Sequence, residues 1–258
     1  MKIVVLIIGL MLCCSLPEQR VTELIRASLV ILLLLIPSLA SAEGRPRLSI
    51  DTNLYPYQSQ IDNDADLTFV MNAHLPARFS YFSYVNFRGL ISDSSFNFTR
   101  SEQTLRWSLA DELPVDLSLQ GVLVDGPGND FTQFGISWRA HNTPGLIDFF
   151  KRINLIYRLT LQLKRFGSAD DKAWQTEQYF KLTFPGLSER LYLSGFIDQT
   201  YDLDVPDAMP KHPIVAEVQG GLRVWKQVYV VGEYRRNDFR VGRENNFAAG
   251  IEFKYSLR

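Results

Sequence analysis

Residues 246–257 read NFAAGIEFKYSL, and their alternation decides the fold. Side chains on a strand repeat every two residues, so Phe247, Ala249, Ile251, Phe253, Tyr255 and Leu257 share one face. Ala248, Gly250, Glu252, Lys254 and Ser256 take the other. Working back from this end, apolar and polar residues alternate in stretches of about ten residues as far as residue 47, and the gaps between them alternate short and long. A soluble sandwich has no reason to make every second connection short. An up-and-down barrel in a membrane does, because one side needs only tight turns while the other carries the loops. The expected fold is therefore all-β: a transmembrane antiparallel up-and-down barrel of about twelve strands in the bacterial outer membrane.

Strands are expected at 47–55, 65–73, 79–89, 101–110, 114–124, 130–139, 152–164, 174–184, 190–199, 213–224, 227–235 and 246–257. Short periplasmic connections read HLPAR from 74, DELP from 111, PGLSE from 185 and WKQ from 225. Long outer ones start at 89, 165, 199 and 235 and are rich in Asp, Asn, Gly, Ser and Pro, as solvated loops require. Residues 140–152 (AHNTPGLIDFFKR) break the rule by being long on the short side. Pro144 at a first-turn position, followed by Leu146, Ile147, Phe149 and Phe150, suggests a short amphipathic helix that plugs the lower mouth or lies at the interface.

Residues 1–42 read as a signal peptide and 43–258 as the barrel. Leu29 to Ile36 is an apolar run after Arg26, and Ala40-Ser41-Ala42 supplies the small residues of a cleavage site before Glu43. A second apolar run at 3–12 raises the alternative that translation starts at residue 21. Cys13 and Cys14 both lie in this leader, so the mature chain has no cysteine, and a barrel closed by its own ladder needs no disulfide. Of 27 basic and 28 acidic residues the leader holds three and two, which leaves a net charge of −2. That balance argues against a nucleic-acid partner. Outer-membrane lipids, small polar solutes and the barrel-assembly machinery are the expected partners. The last of these would read Gly250-x-x-Phe253-x-Tyr255, which resembles the bacterial β-signal but runs on to Ser256-Leu257-Arg258 and has Ala248 where a polar residue is usual.

The face opposite the apolar one holds Asp51, Asn53, Arg106, Asp116, Gln120, Arg139, Arg158, Gln162, Lys164, Glu177, Lys181, Arg190, Asp198, Glu217, Arg223, Glu233, Arg235, Glu252 and Lys254. A charge in lipid costs about 2–4 kcal/mol at the midplane, so these must face the lumen. They would line a water-filled pore or pair off and close the barrel. Phe82, Tyr84, Tyr179, Tyr192, Phe196 and Tyr229 share that face, either as stacking surfaces for a flat solute or as packing that fills the interior. With Arg106, Glu217 and Arg223 they form the candidate binding set.

Residues 64–89, DADLTFVMNAHLPARFSYFSYVNFRG, resemble the early hairpin of the Tsx-like nucleoside-specific channels. Residues 153–167, 178–204 and the stretch LSLQGVLVDG at 117–126 are similar to later parts of that family. The resemblance lies in pattern and scattered residues, and it implies passive diffusion of nucleosides or similar small polar solutes without a cofactor. A lipid hydrolase is not expected: His74 and His141 fall on periplasmic turns and His212 on an outer loop, none at a recognisable spacing from a serine. Asp202, Asp204, Asp207 and His212 suggest a surface hydrolase or a divalent-cation site, against the plainer reading of an acidic solvated loop. No catalytic or metal-ligating set, phosphate loop or dinucleotide fingerprint is recognised.

Overall fold

In a computed structural model of the protein, β1 (Arg47–Pro56), β2 (Asp64–His74), β3 (Phe79–Leu90), β4 (Ser95–Ser108), β5 (Val115–Val124) and β6 (Phe131–Arg139) run in sequence order. They are followed by β7 (Leu155–Phe166), β8 (Trp174–Phe184), β9 (Ser188–Tyr201), β10 (Ile214–Trp225), β11 (Val228–Asn237) and β12 (Asn245–Leu257). Each strand pairs antiparallel with the next, and β12 returns to β1, so the sheet closes as a barrel. Closure removes both sheet edges, leaving no unpaired ladder for lipid to cover. The structure describes residues 47–56, 64–90, 95–126, 130–167, 172–242 and 244–257. The expected leader, its cleavage site and the start at residue 21 lie outside them.

Polarity is inverted relative to a soluble domain. Among the largest fully buried side chains are Gln133, Gln162, Thr104, Thr160, Asp66 and Asp116. Phe247, Ile251, Phe253, Tyr255, Val230 and Ile136 are exposed on the outside. Water would penalise that exterior and lipid would not, so the outer face is that of a membrane-spanning barrel. Rings gather near both rims: Phe79 stacks on Trp107 with centroids 6.3 Å apart at one end, and Trp174 on Tyr201 at 4.0 Å at the other. Such girdles sit where lipid meets water.

Three expectations are corrected. Much of the long loop expected from 89 is strand, because β3 runs to Leu90 and β4 starts at Ser95, past the point where the alternation stops. The register slips so that Asn86 faces Arg100 but Phe87 faces Phe98, which leaves Thr99 as an extra residue. Thr99 Oγ1 then donates to Asn86 Oδ1 at 2.6 Å. A bulge of this kind flips the phase of the period-two pattern, and the strand looks like a loop to a pattern reading.

A second bulge, opposite Phe134 and Gly135, moves Lys164 off the inner face. Lys164 now pairs with outward Phe134, and its ammonium lies 6.0 Å from the Phe166 ring, while Arg165 takes the inward position. Gly135 permits this crossing, since a Cβ there would stand 2.5 Å from the Leu161 carbonyl oxygen.

The third concerns Pro144, which precedes the helix instead of opening it. A 3₁₀ turn at Ala140–Asn142 comes first, and helix α1 (Ile147–Arg152) starts after Leu146. The Trp138 indole donates to Thr143 Oγ1 at 2.7 Å and ties the segment to the wall. No residue of α1 is buried and Phe149 is 56% exposed, so the helix does not pack into the barrel as a plug.

Candidate functional site

The strand ladder turns the inner face into rows of directly opposed residues. One row runs across six strands: Arg139 on β6, Arg158 on β7, Tyr179 on β8, Phe196 on β9, Glu217 on β10 and Arg235 on β11. Barrel strands tilt by about 35–45°, so a row perpendicular to them climbs along the axis. Arg139 ends β6 at the short-turn rim, whereas Arg235 lies two residues from the loop end of β11. The row is therefore a spiral track through the lumen, with cations at its foot, two rings in its middle and an acid–base pair at its top.

Tyr179 shows how open the middle is. Its register points it inward, yet it is 43% exposed, and an inward side chain gains such exposure only from lumenal space. Phe196, Glu177, Asp198 and Glu217 are half-buried on the same wall. At the top, Arg235 is engaged on several sides. Its Nη2 and Nε donate to Glu217 Oε2 at 2.7 and 3.1 Å, and its Nη1 reaches Asp66 Oδ2 at 3.0 Å. Asp66 also accepts two hydrogen bonds from Arg88, at 2.7 and 2.9 Å.

All nine sequence candidates lie on the inner face, in three groups. Tyr179, Phe196 and Glu217 are neighbours on the track. Phe82 meets Arg106, whose guanidinium carbon is 6.0 Å from the ring centroid, and Tyr84 stands beside Phe82 on the same face of β3, opposite Glu102. Tyr192 and Tyr229 pack edge to face at 5.7 Å, and Arg223 lies opposite Tyr229. Tyr192 differs from the rest in being only 5% exposed. Its hydroxyl donates to Glu252 and accepts from Gln219, and the Lys254 ammonium lies 3.6 Å from its ring centroid. Tyr192 thus belongs to the wall, where it holds Lys254, and the other rings keep accessible surface.

Sequence reading placed Asp66 and Arg88 in no site, yet together with Arg235 they form a bridge along the inner wall that passes over β12 and β1. Nothing in a period-two pattern signals which inward residues of non-adjacent strands meet. At the short-turn end a cavity of about 310 Å³ is lined by Asp116, Arg139, Arg158, Ser108, His74 and His141, among others. In the loop at the other end, Asp202 Oδ2 accepts from the Trp174 indole at 2.8 Å. Among the described residues no group of three or more His, Cys, Asp or Glu side chains is placed to hold a metal ion.

No protein-family model matches the chain. No curated protein matches it either. Solved structures do resemble it: a KdgM porin is 12% identical, with alignment over 80% of this chain and 99% of the porin and a TM-score of 0.47. The KdgM porin in complex with disordered oligogalacturonate gives the same figures. A triple mutant of the Rhodopseudomonas blastica porin is 7% identical over 81% of this chain and 99% of its own, with a TM-score of 0.39.

Proposed function

We propose that the protein is a passive outer-membrane channel for small polar solutes, nucleosides among them. The observation that carries this reading is the water-accessible inner wall at mid-depth, with Tyr179 as its most open ring. Solutes would diffuse down their gradient, exchanging part of their hydration for lumenal polar groups and touching Phe82, Tyr84, Tyr179 and Phe196 weakly and reversibly. In this reading the short turns face the periplasm, the 202–213 loop faces the outside, and the leader directs export. Planar-bilayer recording of the purified protein tests it: open-channel events that nucleosides reduce are expected. A closed barrel with a structural role is the second reading, favoured by the way Arg235 joins Asp66 to Glu217 over the inner wall. Electrical silence would select it.

Substrate choice has its own test. Phe82→Ala with Tyr84→Ala should weaken block by nucleosides while leaving small-ion conductance equal or larger, since a base on an aromatic ring contributes about 1–3 kcal/mol in single-strand binders. Unchanged block would remove nucleosides from the proposal and leave the channel.

A further inference from the structure

We propose that the short-turn mouth of the lumen is a binding site for a small oxyanion, a carboxylate or phosphate group, held between Arg139 and Arg158. These two residues are directly opposed on β6 and β7, both pointing inward. Like charges placed opposite each other in a ladder repel, and a group of the other sign between them relieves that repulsion. Asp116 supplies only part of that charge. Its carboxylate lies 3.2 Å from Arg139 Nε and 3.9 Å from Arg158 Nη2, and it accepts a hydrogen bond from Ser108 Oγ at 2.7 Å.

The donor count points the same way. A guanidinium carries five N–H donors in a fixed fork. Among the described residues, the hydrogen bond these two forks make is from Arg139 Nη2 to the Leu113 carbonyl, at 2.7 Å. Arg139 Nε is buried with no hydrogen-bond partner, because its approach to Asp116 is misaligned. Two residues before Ser108 on the same face of β4, Arg106 also has a buried Nε without a partner. Arg139 and Arg158 therefore share one carboxylate with most of their donors unmet, and buried donors left unmet are costly. The other charged lining residues do not change the balance, since Arg78 and Asp111 offset each other and Arg78 Nη1 is committed to the Leu109 carbonyl at 2.9 Å.

The cavity has room for the ligand. Its volume of about 310 Å³ is at the lower end of the range that holds small molecules, about 300–1,000 Å³. Apart from Phe79 at the rim, inward residues and the turns around the mouth line it, so the cavity opens to the lumen and the aqueous side. An oxyanion there would take two parallel N–H donors from each fork, the geometry that suits carboxylate and phosphate.

Titration calorimetry on the full-length barrel, purified in a maltoside detergent that carries no phosphate, tests this with inorganic phosphate as the probe and chloride at matched ionic strength as the control. Saturable phosphate binding is expected, weaker by about tenfold or more in Arg158→Met, which removes both donors of one fork. Asp116→Asn removes the competing carboxylate and should tighten binding, which keeps the test informative if Arg158→Met fails to fold. Phosphate heats that match chloride, or weaker binding in Asp116→Asn, would overturn the site. So would a short-chain phosphatidylglycerol that binds more tightly than phosphate. Binding in micelles is read without conductance, so an electrically silent barrel leaves this inference standing.

Discussion

Arg235 on β11 donates to Asp66 on β2 across 3.0 Å, although 169 residues and the intervening strands β12 and β1 separate them. Asp66 is 0% exposed, and its carboxylate is shared between Arg235 and Arg88. Removing Arg235 leaves Glu217 without its partner at 2.7 Å and Asp66 with Arg88 and the Asn86 amide, which donates to it at 3.1 Å. Arg235→Ala should therefore lower stability by about 3 kcal/mol, at the lower end of what breaking a buried ion pair costs, since Asp66 keeps Arg88 and Asn86. Urea unfolding in lipid vesicles reads that loss. In a conducting barrel the same variant should also raise single-channel conductance, because a side chain that reaches over β12 and β1 on the lumenal side is gone.

Gly221 is needed where it stands. A Cβ there would lie 2.1 Å from Tyr192 Cε1, against a ring that anchors Lys254. Gly221→Ala must push Tyr192 aside and should cost about 1–3 kcal/mol, as overpacking does. Its neighbour is a built-in control: a Cβ on Gly220 meets Leu193 Cδ1 at 3.9 Å, an ordinary contact. Gly220→Ala should be neutral or slightly stabilising in the same unfolding assay.

The turn between β2 and β3 holds two non-glycine residues in the left-handed region, Ala77 at φ 57° and Arg78 at φ 66°. Left-handed backbone costs an L-residue about 1–2 kcal/mol, and glycine escapes it. Ala77→Gly should raise stability by up to about 1 kcal/mol after the entropy that glycine adds to the unfolded chain. A lower urea midpoint would count against strain in this turn.

Phe253 and Tyr255 face outward on the closing strand, each 53% exposed, and make no inward contact that the lumen depends on. Replacing both with Ser should leave refolding in detergent nearly intact. In cells, the variant should be depleted from the outer membrane, because these two side chains are the aromatic part of the resembled β-signal. Wild-type membrane levels would show that the assembly machinery reads something else.

The period-two pattern and the spacing of turns were enough to foresee twelve strands, closure with both ends on one side, and the inward placement of all nine candidate residues. β8, expected at 174–184, spans Trp174–Phe184. Such features are local, since each follows from which side of its own strand a residue falls on. The bulges at Thr99 and beside Lys164 were not legible, because one extra residue reverses the phase and only the partner strand shows where it sits. Nor were the contacts of Arg235 with Asp66, of Lys254 with Tyr192, or of Arg139 and Arg158 with Asp116. Alternation says that a side chain points inward but not at what height. Height depends on strand tilt and on the stagger accumulated through the register of every pair until β12 meets β1, and that is a property of the closed barrel alone.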